Sequence, residues 1–129
     1  MKLSNVTGVQ HMGVPSSDLS RTITFFESLG FEVARRDETA DGVPVAFLKL
    51  GTCVIEAYED GPVAGRPGAI DHISLDVTDV DTVYAAVKAE GHKMLHDSVQ
   101  SLPFWEKGVR FFTIEGPDAV KIEFCEILK

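Results

Sequence analysis

The chain has 129 residues, enough for one compact core, and its 44% hydrophobic and 25% charged content is that of an ordinary soluble globular protein. It has no long apolar run, so no membrane span is expected. The net charge of −8 argues against nucleic acid or an anionic membrane as partner, since both demand clustered Lys and Arg. The N-terminal Met1-Lys2-Leu3-Ser4-Asn5 lacks the features of a signal peptide. Cys53 and Cys125 form neither a disulfide framework nor a CxxC pair, so a cytoplasmic location is expected.

In chain order, residues 9–14 are apolar and β-branched and predict a short strand. Asp18 follows as a helix N-cap, because its short carboxylate can accept the free N–H groups of a first turn. Leu19, Ile23, Phe26 and Leu29 then recur at helical spacing, and Gly30 supplies the left-handed stop. Three strands are predicted next, over 31–35, 43–50 and 53–58, the last two joined by a tight turn at Gly51-Thr52. Residues 60–67, with Gly61-Pro62, Gly65 and Pro67, read as a linker. The order then restarts: a strand over 70–77, the cap Asp79, a helix face of Val80, Tyr84 and Val87, the stop Gly91, and strands over 93–98, 109–114 and 120–127. Asp76, Asp79 and Asp81 read as capping and a solvated face.

The restart is a duplication. His11 and His72, Asp18 and Asp79, and Gly30 and Gly91 are each 61 residues apart (72−11, 79−18, 91−30). Each half is β-α-β-β-β, over about 6–59 and 68–129. Neither half would bury much alone, so the expectation is a single domain spanning 1–129.

Strand alternation sends Glu56 to the face opposite Ile55 and Ala57, and Glu123 to the face opposite Ile122 and Phe124. His11 and His72 hold matching places on the first strand of each half. Each half therefore offers one His and one Glu, and all four converge if the half-sheets face each other. Two imidazoles and two carboxylates suit Ni, Zn, Co, Mn or Fe better than Ca. Four protein ligands leave an octahedral ion two open positions, the mark of a catalytic site.

The paired modules, the two His-bearing strands and the closing segment from Glu115-Gly116-Pro117-Asp118-Ala119 to Glu123 resemble the vicinal oxygen chelate superfamily. That group includes glyoxalase I, methylmalonyl-CoA epimerase, fosfomycin-resistance proteins and extradiol dioxygenases. Ala119 stands where the family's turn commonly carries glycine. The His, Glu, His, Glu order looks most like glyoxalase I. The resemblance implies an α+β fold in which the two modules form a curved mixed sheet around a metal site, with helices on the outer face. It also implies a homodimer whose metal site takes His11 and Glu56 from one chain and His72 and Glu123 from the other.

The activity implied is a metal-dependent isomerase or lyase that moves a proton on a 2-oxoaldehyde adduct or related vicinal-oxygen substrate, through an enediolate stabilised by the cation. Glu123, or its counterpart Glu56, is the implied base. The alternatives are an epimerase or dioxygenase at the same metal, or a metal-free small-molecule binding or resistance protein. No convincing anion-binding pair for glutathione is evident; Lys107 and Arg110 are the nearest candidates, and Arg110 can instead pair with a surface carboxylate. Phe104 and Trp105, in a loop with Pro103 and Gly108, read either as a substrate wall or as an interface plug. Tyr58 shares the face of Glu56, while His92 and His96 read as surface residues and the cysteines as small buried thiols.

Overall fold

The computed structural model describes residues 4–129. Its elements are β1 (Met12–Pro15), α1 (Leu19–Ser28), β2 (Glu32–Glu38), β3 (Pro44–Leu50), β4 (Cys53–Tyr58), β5 (Ile73–Asp76), α2 (Val80–Ala89), β6 (Lys93–Met94), β7 (Gln100–Leu102), β8 (Val109–Glu115) and β9 (Lys121–Ile127). The chain divides into two compact units, Met1–Val63 and Ala64–Lys129, with the boundary inside the stretch read as a linker. The architecture is α+β, and each unit owns an open mixed sheet. Strand order is β1-β4-β3-β2 in the first and β5-β9-β8-β6 in the second, where β7 also pairs with β8. None of the described helices is long and apolar enough to cross a membrane.

Both helices form for the reasons the sequence gives. The Asp18 carboxylate accepts the N–H of Arg21 at 3.1 Å, and Asp79 accepts that of Thr82 at 3.2 Å. At the far end of α1, Gly30 adopts φ 100° while its N–H donates to Glu27 O and that of Phe31 donates to Phe26 O. This left-handed cap satisfies carbonyls that would otherwise be orphaned. Gly91 follows α2 at φ 84° and donates its N–H to Lys88 O. Leu19, Ile23 and Phe26 are buried as expected, together with Thr22 and Phe25. In α2, Val80 and Val87 are buried, whereas Tyr84 is half-buried and donates its hydroxyl hydrogen to the carbonyl of Asp97 at 2.7 Å.

Helix α1 packs on β2, β3 and β4, and α2 on β8 and β9. Ile55, Ala57, Leu48 and Ala46 are fully covered in the first unit, and Ile122, Ile114 and Phe112 in the second. The alternation that buries these side chains turns Glu56 and Glu123 to the opposite face.

Strand limits shift by a few residues from the sequence reading, and two differences in the second module are structural. The strand expected over 93–98 stops at Met94. Leu95 still donates its N–H to Thr113 O at 2.9 Å, but the next place in the ladder goes to a side chain: His96 Nδ1 accepts the Thr113 N–H at 3.1 Å. His96 is thereby half-buried, edge-on to Phe111, rather than a surface residue.

The second feature is the β8–β9 turn, where Asp118 and Ala119 adopt φ 58° and 63°. Aspartate tolerates this region; alanine does so at a cost of about 1–2 kcal/mol. Glycine would relieve that strain and give back part of the gain in unfolded-chain entropy. Ala119→Gly is therefore expected to raise stability by about 0.5–1 kcal/mol, measured by chemical denaturation, and an unchanged midpoint would show that the turn is not strained.

Candidate metal centre

Parallel pairing of β1 with β4 sets Gly13 opposite Glu56, and parallel pairing of β5 with β9 sets Ser74 opposite Glu123. His11 lies two residues before Gly13, and His72 two before Ser74. Residues two apart share a face, so each histidine falls on the side of its glutamate. Both histidines stand one residue ahead of their strand rather than inside it. The register is the same in the two modules, so one His–Glu arrangement is built twice.

His11 Nε2 lies 3.4 Å from Glu56 Oε2, and His72 Nε2 lies 3.7 Å from Glu123 Oε2. Both separations exceed a good hydrogen bond. Ligands about 2.1 Å from one ion lie about 3.0 Å apart at a right angle and about 3.4 Å apart at the tetrahedral angle, so the His11–Glu56 separation matches two atoms sharing a cation, while the His72–Glu123 pair stands slightly wider. The other ring nitrogen is engaged in each case. His11 Nδ1 meets Gln10 Oε1 at 3.0 Å, and His72 Nδ1 meets Asp71 Oδ2 at 2.9 Å. A proton held on Nδ1 by these acceptors leaves the Nε2 lone pair free for a metal. The residues present therefore fit a divalent cation. Among the described residues, no group of three or more His, Cys, Asp or Glu is placed to hold an ion; each module brings together one His and one Glu.

The surroundings of the two pairs differ. Phe47 stands opposite Glu56 across β3–β4, its ring edge-on to His11 with centroids 6.0 Å apart. Tyr58, on the same face, reaches over Gly13. In the second module Ser74 and the buried Thr113 flank Glu123, whose side chain is the more enclosed of the two glutamates at 18% exposure against 28%. Hydrogen bonding to His72 first, and then the nearby Lys121 charge, hold the Asp71 carboxyl below the usual carboxylate range. Cys125 shares this face. Burial, then the carboxylates of Glu123 and Asp76, push its thiol up; burial alone does so for Cys53. Neither cysteine is favoured as a thiolate.

The remaining expected site residues lie away from the His72–Glu123 pair of their own unit in the strand register. Phe104, Trp105 and Lys107 are exposed in the β7–β8 hairpin, where Trp105 adopts φ 62°. Arg110 points to the helix side of β8 and makes a bidentate ion pair with Asp81, at 2.6 and 2.9 Å. Residues that sequence reasoning passed over are Gln10 and Asp71, and also Glu59 and Glu126. Glu59 accepts the Leu19 N–H at 2.9 Å and Glu126 the Val80 N–H at 3.0 Å, pinning each helix start to the strand segment that carries Glu56 or Glu123. The duplication contains the signal for both pairs. Gln10 and Asp71 are again 61 apart, and Glu59 and Glu126 are 67 apart, as are Glu56 and Glu123 (126−59, 123−56).

Known proteins resemble this chain in sequence and fold. The uncharacterized protein YwbC of Bacillus subtilis (strain 168) is 31% identical over 132 residues, covering 92% of this chain and 96% of its own. Among solved structures, SMU.1112c superposes with a TM-score of 0.79 at 21% identity, over 95% of this chain and 100% of that one. A glyoxalase family protein from Enterococcus faecalis gives 0.74 at 23% identity, over 92% and 97%. The fosfomycin resistance protein FosX of Listeria monocytogenes, solved with Mn(II) and sulfate, gives 0.73 at 17% identity, over 95% and 94%. At these identities the structures speak for the fold. Sequence goes further: the family model for the Glyoxalase/Bleomycin resistance protein/Dioxygenase superfamily matches residues 8–124, nearly the whole chain, and the protein belongs to that superfamily.

Proposed function

We propose that the protein is a divalent-metal-dependent isomerase or lyase of the glyoxalase I type, acting on a small substrate with two neighbouring oxygens, such as a 2-oxoaldehyde adduct. The observation that carries this reading is the duplicated pairing of a free histidine Nε2 with a glutamate oxygen at 3.4 and 3.7 Å. His11, Glu56, His72 and Glu123 form the ligand set, one pair from each of two chains in a homodimer. When bound, a divalent cation lowers the energy of negative charge developing on substrate oxygens.

The chain's own groups do the rest. The Glu123 carboxylate takes the proton from the carbon beside the carbonyl and returns it to the adjacent carbon. Glu56 stays in place as a ligand and balances charge. His11 and His72, fixed through Nδ1, keep their ring planes as the carboxylate moves. Phe47 and Tyr58 supply an apolar wall near Glu56 that limits water around the substrate.

The test begins with metal. Purified protein loaded with Ni, Co, Zn or Mn and then desalted is expected to retain close to one ion per pair of half-sets by elemental analysis. Loaded protein is then expected to isomerise 2-oxoaldehyde–thiol adducts in deuterated water, with product followed by NMR. Failure to retain any of the four ions would sink the reading. Oxygen uptake with a catechol in place of isomerisation would move it to the dioxygenase class.

A further inference from the structure

The two His–Glu pairs are copies in register but not in support, and one of the differences lies at the repeat-related position just before each histidine. Gln10 offers His11 a neutral amide oxygen at 3.0 Å, whereas Asp71 offers His72 a full negative charge at 2.9 Å. A carboxylate on the outer nitrogen makes an imidazole more basic at the inner one and fixes its ring, so it binds a cation more strongly than an imidazole held by an amide. Asp71 is itself held. Its other oxygen, Oδ1, lies 3.6 Å from Lys121 Nζ, and Lys121 stands two residues before Glu123 on the same strand face. One chain of contacts thus runs from Lys121 through Asp71 and His72 to Glu123.

We infer that Asp71 is a positioning residue that makes His72 the stronger of the two histidine donors, so that the His72–Glu123 half-set anchors the cation and the His11–Glu56 half-set holds it more loosely. The inference rests on the metal reading above. Asp71 is about 60% exposed, so solvent damps its effect, and the expected change sits at the lower end of the tenfold to hundredfold range seen for outer-sphere partners.

The repeat supplies its own control. Zn(II) dissociation constants would be measured by competition with a chromophoric chelator for the wild type, Asp71→Asn, Gln10→Ala and Gln10→Asp. Thermal denaturation of the metal-free proteins would check that folding is unchanged. Asp71→Asn is expected to weaken binding about tenfold, and Gln10→Ala by about threefold or less. Gln10→Asp, which installs the missing carboxylate, is expected to tighten binding several-fold. A purely structural role for these positions would produce no such gain. Equal losses for Asp71→Asn and Gln10→Ala, or no gain from Gln10→Asp, would overturn the inference while leaving the metal reading intact. A wild type that binds no Zn(II) would overturn both.

Discussion

Glu123→Gln is expected to lower the turnover of a metal-loaded enzyme by about a hundredfold to ten-thousandfold and to stop exchange of the substrate proton with solvent. The substitution keeps the shape of the side chain and an oxygen able to face the cation, but removes the carboxylate that accepts a proton. Because Gln can still ligate, metal retention should fall far less than turnover. Glu123 is assigned this role because it is the more enclosed of the two glutamates and is flanked by the small polar side chains of Ser74 and Thr113. Glu56→Gln should therefore leave exchange measurable. Deuterium incorporation followed by NMR reads the difference directly. Wild-type exchange in Glu123→Gln, with exchange lost in Glu56→Gln, would swap the two roles.

The second large effect concerns stability. Phe112 is fully buried at the centre of β8, stacked on Phe124 with ring centroids 4.7 Å apart and edge-on to Tyr84 at 5.0 Å. It fills the space between α2 and the strand that carries Glu123. Truncation to alanine removes a buried ring and leaves a cavity that β8 and β9, held by their ladder, cannot close. Phe112→Ala is expected to cost about 3–5 kcal/mol, measured by urea denaturation of the metal-free protein. Trp105→Ala, at a residue 73% exposed, should change stability by about 0.5 kcal/mol or less. A loss at Trp105 comparable to that at Phe112 would mean the hairpin loop is packed in solution in a way its exposure does not indicate.

How much of this was legible depended on how local the cause was. The helices were plain because Asp18, Gly30, Asp79 and Gly91 act on their own turns. Strand β4 matched its expected limits, 53–58, because a tight turn and strict alternation bound it. The strand expected over 93–98 failed because alternation reports backbone periodicity, and nothing in it reveals that His96 will occupy a ladder position with its side chain. The His–Glu pairing was visible through the repeat, but its support was not. Gln10 and Asp71 have different chemistry, and equivalence in position shows only once both are seen holding Nδ1. Arg110 illustrates the reverse limit: its charge was evident, yet its place on the helix side depends on the register of β8.

The spacing between equivalent residues is 61 as far as Gly30 and Gly91, becomes 66 at the strand residues opposite the two glutamates (113−47), and 67 at the glutamates themselves. Five extra residues in the second module thus fall between Gly91 and Thr113, split between the β6–β7 link and the β7–β8 hairpin, and one falls in the β8–β9 turn. Both additions sit in edge segments or hairpins, and neither shifts the pairing of Ser74 with Glu123 relative to that of Gly13 with Glu56. The two copies have been free to change length only where the ladder lets slack accumulate. Residues between β6 and β8 are accordingly the place where this scaffold can accept insertions, natural or engineered, and so acquire new recognition without disturbing the spacing of its histidines and glutamates.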